Sequence, residues 1–369
     1  MPSWMWKVAI ALAIVTPIAV RSADPTPVET LLKALGKEGS GNREAALAWR
    51  TVVDAGTPSL IPLLTALDTA TPVSANWIRT AIDALVEKSK TLPLAEVEEF
   101  LFETKHSPLS RRLAFEILTT ADPKIKESLL DGMIDDPSVE IRREAIAQAI
   151  EKAKTINAKP TALKEFTKLF VAARDLDQVL ELEKQVKTFG GETNMVEHFN
   201  FITEWQVLGP FDNVGGAGFA KTFDPEKKVD LTAPYTSKED KPIKWKSITT
   251  TDKFAVVDLN KEVGKFKGAT AYAYAVIEVE KEQPIEVRLG CITALQVFLN
   301  GERIFSKEEY HHGDKMDQYV GKGKLKAGRN ELLIKVCQNE QTESWAQTWT
   351  FQARICDATG GKIPMKVTR

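Results

Sequence analysis

Cysteine is scarce in this 369-residue chain, and it is poorly spaced for its usual roles. There are three, Cys291, Cys337 and Cys356, none in a C-x-x-C pair, which removes the common structural zinc sites. An odd number leaves at least one thiol without a partner in the chain, so a disulfide framework is not expected. If the flanking strands form a simple hairpin, Cys337 falls opposite Trp349, and alternation with Lys335 and Arg354 turns Cys337 and Cys356 away from the core. Histidine is rarer than its roles in catalysis would want: His106, His198, His311 and His312. No G-x-S-x-G, H-E-x-x-H or recognisable Ser-His-Asp context is present. The glycines at 215–218 and in GKGKLKAG (321–328) precede no Gly-Lys-Ser/Thr and no helix start, so they read as turns and close backbone approaches, not as a phosphate loop. Carboxylates abound, but nothing singles out a glycosidase-type pair. An enzyme is therefore not expected, and no cofactor is implied.

Charge of one sign is also lacking. With 49 Lys+Arg against 51 Asp+Glu, there is no basic footprint for nucleic acid. Long apolar runs are absent after Val8–Val20, which follows a single Lys7. At ~1.5 Å per residue that run reaches about 20 Å, short of a bilayer's ~30 Å hydrocarbon core. It reads as the apolar part of a signal peptide over 1–22, with cleavage after Ser22. The expectation is an exported protein, periplasmic or secreted, with no transmembrane segment after signal removal.

From Thr26 to about 190, apolar residues recur every three or four positions in short blocks: 58–67, 74–88, 93–103, 108–119, 123–134 and 137–156. Thr57-Pro58, Ser107-Pro108, Asp122-Pro123 and Asp136-Pro137 read as a capping residue followed by a proline that needs no N–H in the first turn. Arg43, Arg79, Arg111 and Arg142 each precede a core position by three residues and stand 36, 32 and 31 apart. Such a period, with two helices in each unit, implies a helical solenoid. The unit DDPSVEIRREAIAQAI (135–150) resembles the HEAT repeat. Tetratricopeptide or unspecific α-α repeats remain the alternative. The resemblance implies a concave surface for a protein partner, and a plain spacer or platform remains open beside it. Trp49, Trp77, Phe100, Phe102, Phe166 and Phe170 fall at core spacing.

Helix gives way to strand at Gly190-Gly191. No Pro- or Ser-rich linker follows, so the halves are expected to abut. The second half, 196–369, is organised around LQVFLNGERIF (295–305) and LKAGRNELLIKV (325–336). Asn300-Gly301 suits a type I′ turn, which needs positive φ twice, and places Val297 opposite Ile304. Leu332, Ile334 and Val336 share one face of a further strand. Other strands are read at 201–207, 243–248, 254–259, 271–279, 285–291 and 349–356, and the twenty residues after the hairpin read as a polar tract. The fold class is multidomain: an N-terminal HEAT-like α-solenoid over 24–190, then an antiparallel β-sandwich.

The order WQVLGPFDN (205–213), AYAYAVIEV (271–279), VFLNGERIF (297–305), LKAGRNELLIKV (325–336) and WTFQARI (349–355) resembles the galactose-binding-like jelly-roll attached to exported proteins of environmental bacteria, planctomycetes above all. A similar layout occurs in sugar-binding domains of glycoside hydrolases. The resemblance implies a glycan on the sandwich. It departs at CITALQ (291–296), where relatives carry acidic residues. A sugar site needs aromatic platforms with polar neighbours, and Tyr310, Tyr319 and Trp345 sit in loops that read as exposed. Packing of Tyr310 and Trp345 onto the sandwich is the competing reading, while Trp205, Trp245 and Trp349 read as core. In the tract holding His311 and His312, zinc is disfavoured because adjacent imidazoles point apart. Asp314 and Asp317 with backbone carbonyls are the candidate ligands for calcium.

Overall fold

The computed structural model describes residues 26–35 and 41–368. The signal-peptide reading lies outside the described residues. Helices occupy the first half and antiparallel sheets the second. No helix among the described residues is long and apolar enough to cross a membrane. The helices are α1 (Pro27–Ala34), α2 (Asn42–Ala55), α3 (Leu60–Ala66), α4 (Pro72–Lys88), α5 (Leu94–Phe102), α6 (Pro108–Ala121), α7 (Lys126–Leu130), α8 (Val139–Lys154), α9 (Lys159–Ala172), α10 (Leu176–Thr188) and α11 (Met195–Phe199). The chain divides into two compact units, one ending at Lys126 and one beginning at Glu127. The change from helix to strand near 190 therefore falls inside the second unit.

In the first unit α2 packs on α1 and α4, and α3 on α4, α5 and α6. Leu60, Leu63 and Leu64 of α3 and Ile78, Ile82 and Leu85 of α4 are fully buried, as apolar spacing at three and four residues requires. Ser107 accepts a hydrogen bond from the Ser110 amide (3.2 Å), capping α6 as read from Ser-Pro. Thr57 makes no side-chain cap. Thr71, also before a proline, caps α4 by accepting from the Ser74 amide. Phe100 is buried, but Phe102 is 48% exposed and is not core; it ends α5 on the face away from Val97 and Leu101. The periodic arginines split: Arg43 and Arg79 are exposed, whereas Arg111 and Arg142 are buried. Arg111 Nε donates to the Leu101 carbonyl (2.8 Å), satisfying an acceptor that the end of α5 leaves open.

The second unit holds β1 (Glu204–Asp212), β2 (Tyr235–Thr236), β3 (Pro242–Ile243), β4 (Lys246–Thr249), β5 (Val257–Asp258), β6 (Ala269–Val279), β7 (Gln283–Cys291), β8 (Ala294–Leu299), β9 (Glu302–Lys307), β10 (Tyr319–Leu325), β11 (Gly328–Gln338), β12 (Thr350–Cys356) and β13 (Lys366–Thr368). One sheet runs β4-β1-β6-β11-β8-β9, with β13 also on β6, and the other runs β10-β7-β12-β5. Both contribute to one apolar core. Ala269, Ala271, Ala273 and Ala275 of β6 form its small-residue floor, and Trp205, Trp349 and Phe351 supply the bulk. Small against large is how facing layers fill space. The Trp205 and Trp349 readings hold, and Trp245 is half-buried on the outer side.

That outer side is covered as well. Tyr272, Tyr274 and Val276 alternate with the alanines and pack against Phe211, Phe223, Tyr235 and Trp245. Lys335, expected on an open face, is fully buried there. Its ammonium donates to the Phe219 and Lys221 carbonyls (3.0 and 2.7 Å) and to Glu226 Oε1 (2.9 Å), so all three of its protons are used.

Asn300 (φ 54°) and Gly301 (φ 83°) form the expected left-handed turn. The pairing beyond it differs: Val297 opposes Phe305, and Ile304 is absorbed in a bulge between Phe298 and Val297. The polar tract contains an unexpected strand, β10. Its Gly321 and Gly323 face inward, where a Cβ would lie 3.1 Å from that of Phe305 and 2.7 Å from Leu299 Cδ2; of the two readings for these glycines, they serve close approach and not a turn. A short helix α12 (Ala217–Ala220) follows the 215–216 glycines where none was expected, and a Cβ on Gly218 would stand 2.2 Å from the Asp212 carbonyl. The small helices α13 (Asp224–Lys227) and α14 (Leu259–Glu262) complete the unit.

The thiols of Cys337 and Cys356 leave the inter-sheet core, as alternation required, yet both are fully buried because further chain covers each outer face. All three cysteines are free. β11 and β12 lie in different sheets, so the hairpin that would have set Cys337 opposite Trp349 does not exist; Cys337 stands between Thr270 and Ala294. Helices α8 to α11 lie against the sheets within this unit. Phe166, Phe170 and Val186 share a cluster with Phe201 and Ala255.

Candidate binding site

Strand register brings three distant loops together. Asp212 and Gln338 both oppose Ala269, Cys337 opposes Ala294, and Lys307 opposes Leu295. The chain leaving β1, β9 and β11 therefore emerges at the same end. Asn213 is the fastener. Its amide N–H donates to the Gly268 carbonyl (2.8 Å), and its side-chain NH₂ donates to the Gln338 carbonyl (3.1 Å) and the Tyr310 hydroxyl (3.2 Å). The Gly215 amide donates to Glu340.

Tyr310 lays its ring beside Phe219, Ala294 and Cys337. Burial pushes its hydroxyl up to about 12, despite the Asn213 hydrogen bond. Next to it, His311 (φ 58°) turns the other way. Its Nε2 lies 2.9 Å from Asn339 Oδ1, which also accepts from the Gln341 amide (3.3 Å). An oxygen serving as acceptor there requires Nε2 to donate, a tautomer assigned from the network. Nδ1 is then a buried lone pair without a hydrogen-bond partner among the described residues. The imidazole meets Trp345 edge to face, centroids 5.3 Å apart at 84°. Trp345 stands in the 3₁₀ turn Ser344–Ala346 and is 57% exposed. An indole braced by an imidazole that itself bonds the Asn339 amide can stack on an apolar face beside polar groups.

Tyr310 and Trp345 thus belong to one loop cluster, joined through His311. Tyr319 does not share its character: it is the first residue of β10, with its ring 5.3 Å from Phe305 at the margin of the core. The calcium pair is not assembled. Asp314 is exposed, whereas the Asp317 carboxylate is held by Arg354 through two bonds (2.7 and 2.6 Å) and by Arg288 (3.1 Å). Both of its oxygens already face guanidinium groups, an arginine clamp in place of a cation cage. Among the described residues no group of three or more His, Cys, Asp and Glu could hold a metal. His312 is mostly exposed, 3.9 Å from Glu309, so the two histidines do point apart. Asn213, Asn339 and the bracing role of His311 escaped the sequence reading, since their partners lie on loops far apart in the chain.

No family model matches the chain. No curated protein matches it either. Among solved structures it is similar to a β-glucosidase from Kluyveromyces marxianus in complex with glucose, at 15% identity over 24% of this chain and 11% of that one, TM-score 0.20. It is similar also to an anti-sigma factor domain-containing protein from Clostridium clariflavum, at 11% identity over 45% and 44% of the two chains, TM-score 0.25. This chain spans less than half the length of each. No functional statement rests on these matches.

Proposed function

We propose that this is a non-catalytic, exported binding and scaffold protein whose sheet domain takes carbohydrate or envelope glycan on the loops around Trp345. The observation that carries the reading is the half-exposed indole held edge-on by His311, with the Tyr310 hydroxyl and the Asn339 amide in the same loop cluster. Sugar rings present an apolar face bordered by hydroxyls, which suits an aromatic plate with a polar rim. The sheet domain is taken as galactose-binding-like and the helices as HEAT-like repeats, on the residues that carry those resemblances. Export to the periplasm or beyond rests on the Val8–Val20 run.

The test is a glycan array with the full chain, with and without calcium, beside the Tyr310→Ala/Trp345→Ala double variant. Retention of glycan by the wild type and its loss in the variant supports the platform; no retention under any condition sinks it. A second reading, a purely protein-protein adhesion and scaffold role, is favoured by a groove of about 450 Å³ along α8. Its floor is Leu130, Ala145, Ala149 and Ala153, with Lys152 and Lys168 at the rim. Small residues there let another backbone approach closely, and a helix-in-groove partner would suit it. An accessory part in a polysaccharide-degrading system would use the same glycan loops, with hydrolysis supplied by another protein.

A further inference from the structure

A separate pocket opens within the second unit, between α9, the segment joining α10 to α11, and the turn from Asp357 to Lys362. Its volume is about 350 Å³, within the range of small-molecule sites. Phe170, Val171 and Ala173 supply an apolar wall. Three polar groups face them. His198 spends one ring N–H on the Ala173 carbonyl, and burial pulls its pKa down to about 4 against that bond. At neutral pH its other nitrogen is an acceptor, on a ring that lines the pocket. Thr193 carries a buried hydroxyl with no hydrogen-bond partner among the described residues. A polar atom buried in this way costs about 1–3 kcal/mol unless something meets it. Arg174 donates to the Thr359 hydroxyl and lies 3.9 Å from Asp357, leaving further N–H groups on the same guanidinium.

The charges around the opening nearly cancel. Lys362 faces Glu197 at 3.4 Å, Arg174 faces Asp357, and Glu192 adds one more carboxylate to the lining. A polyanion would meet that carboxylate with no unpaired cation, and a cation would meet the guanidinium. An acceptor, a hydroxyl that can give or take, and a donor, set beside a small apolar wall with little net charge, match a neutral molecule bearing several hydroxyls and one apolar face. We infer that this pocket is a binding site for a neutral sugar of one or two rings, separate from the Trp345 loops.

The test uses the full chain carrying Trp345→Ala, so that binding at the loops cannot answer for the pocket. Glucose, galactose and N-acetylglucosamine are titrated one at a time by calorimetry and ligand-observed NMR, with glucuronate as the anionic comparison. Thr193→Val is the decisive variant. It removes a hydroxyl that bonds to nothing among the described residues, so the melting temperature should hold or rise, while sugar affinity falls roughly fivefold or more. His198→Phe should abolish binding. Saturable binding of a neutral sugar that Thr193→Val weakens supports the inference. No binding of the three sugars, binding indifferent to Thr193→Val, or tighter binding of glucuronate overturns it. Failure of the loop platform is read separately, from the Tyr310→Ala/Trp345→Ala variant on the glycan array.

Discussion

Replacing Asp317 with Asn tests whether this carboxylate is a clamp or a metal ligand. The side chain sits between Arg354, which is 1% exposed, and Arg288. Arg354 has two other acceptors, the Phe199 and Gly360 carbonyls at 3.4 and 3.1 Å, and both are uncharged. Arg288 keeps Glu286, bonded at 2.9 and 2.8 Å. Asparagine preserves the shape but leaves Arg354 with uncharged acceptors and Arg288 with Glu286 as its carboxylate. Breaking a buried pair costs ~3–5 kcal/mol; Asp317 is 24% exposed on its side chain, so solvent screening reduces this to about 2–3 kcal/mol. In a domain of this size that lowers Tm by roughly 4–12 °C. The assay is thermal and urea unfolding of wild type and variant, each with and without millimolar calcium.

The pH dependence sharpens the test. Burial alone would raise the Asp317 carboxyl, but the Arg354 bonds and charge, with Arg288, outweigh it and hold the group below its usual range. A depressed carboxyl contributes stability that is fully present above its unfolded value of ~3.9 and is lost as pH falls through the folded one. The gap between wild type and Asp317→Asn should therefore be level from pH 8 to about 5 and close only below about 4. A loss under about 0.5 kcal/mol, or a calcium-dependent rise in the wild-type Tm that the variant abolishes, would refute the clamp.

Lys335→Met should cost about 3 kcal/mol, since Glu226 and two carbonyls lose the cation they share; hydrogen exchange should quicken across 217–228, and unchanged protection there would contradict the latch. His198, with its pKa near 4 through burial, favours the unfolded chain wherever it is protonated. Stability should be complete above the unfolded value of ~6.5 and fall by roughly 3 kcal/mol as pH drops to 4. His198→Phe should flatten that part of the stability curve, and a parallel decline would show that other groups cause it.

Legibility in the sequence followed the range of the interaction that decides each feature. Asn300-Gly301 was readable because positive φ is a demand on two adjacent residues, while the register beyond it was not, because packing between Ile304 and the distant Gly321 and Gly323 accompanies the bulge. The close-approach reading of those glycines holds, but the neighbours they make room for, Leu299 and Phe305, were not legible, because they belong to another sheet. Alternation correctly turned Cys337 out of the inter-sheet core. It could not foresee Phe219 and Tyr310 closing over it. At the candidate site, side-chain chemistry nominated Tyr310 and Trp345, but only strand register assembles 213, 311 and 339 around them. Asp317 misled because a carboxylate on a polar tract looks the same whether its partner is calcium or an arginine on β12.

The same long-range packing decides where the chain can be cut. Helix becomes strand near 190, which makes a fragment from Met195 to the C-terminus an obvious sheet domain, yet the compact unit begins at Glu127. Removing α8 to α10 would uncover Phe199, Phe201 and Ala255, which now lie in one cluster with Phe166, Phe170 and Val179. It would also remove Arg142 and Arg174 from Thr359, and Glu183 from Lys253 (2.6 Å). At about 1.5–3 kcal/mol for each buried phenylalanine, two such rings amount to roughly 3–6 kcal/mol, an upper figure because unfolded chains are partly collapsed. That is comparable with the whole stability of many domains. A fragment from Glu127 should melt cooperatively and bind little hydrophobic dye, while one from Met195 should melt far lower or aggregate and bind dye strongly. Equal melting temperatures for the two would mean that the helices rest on the sheet domain without stabilising it.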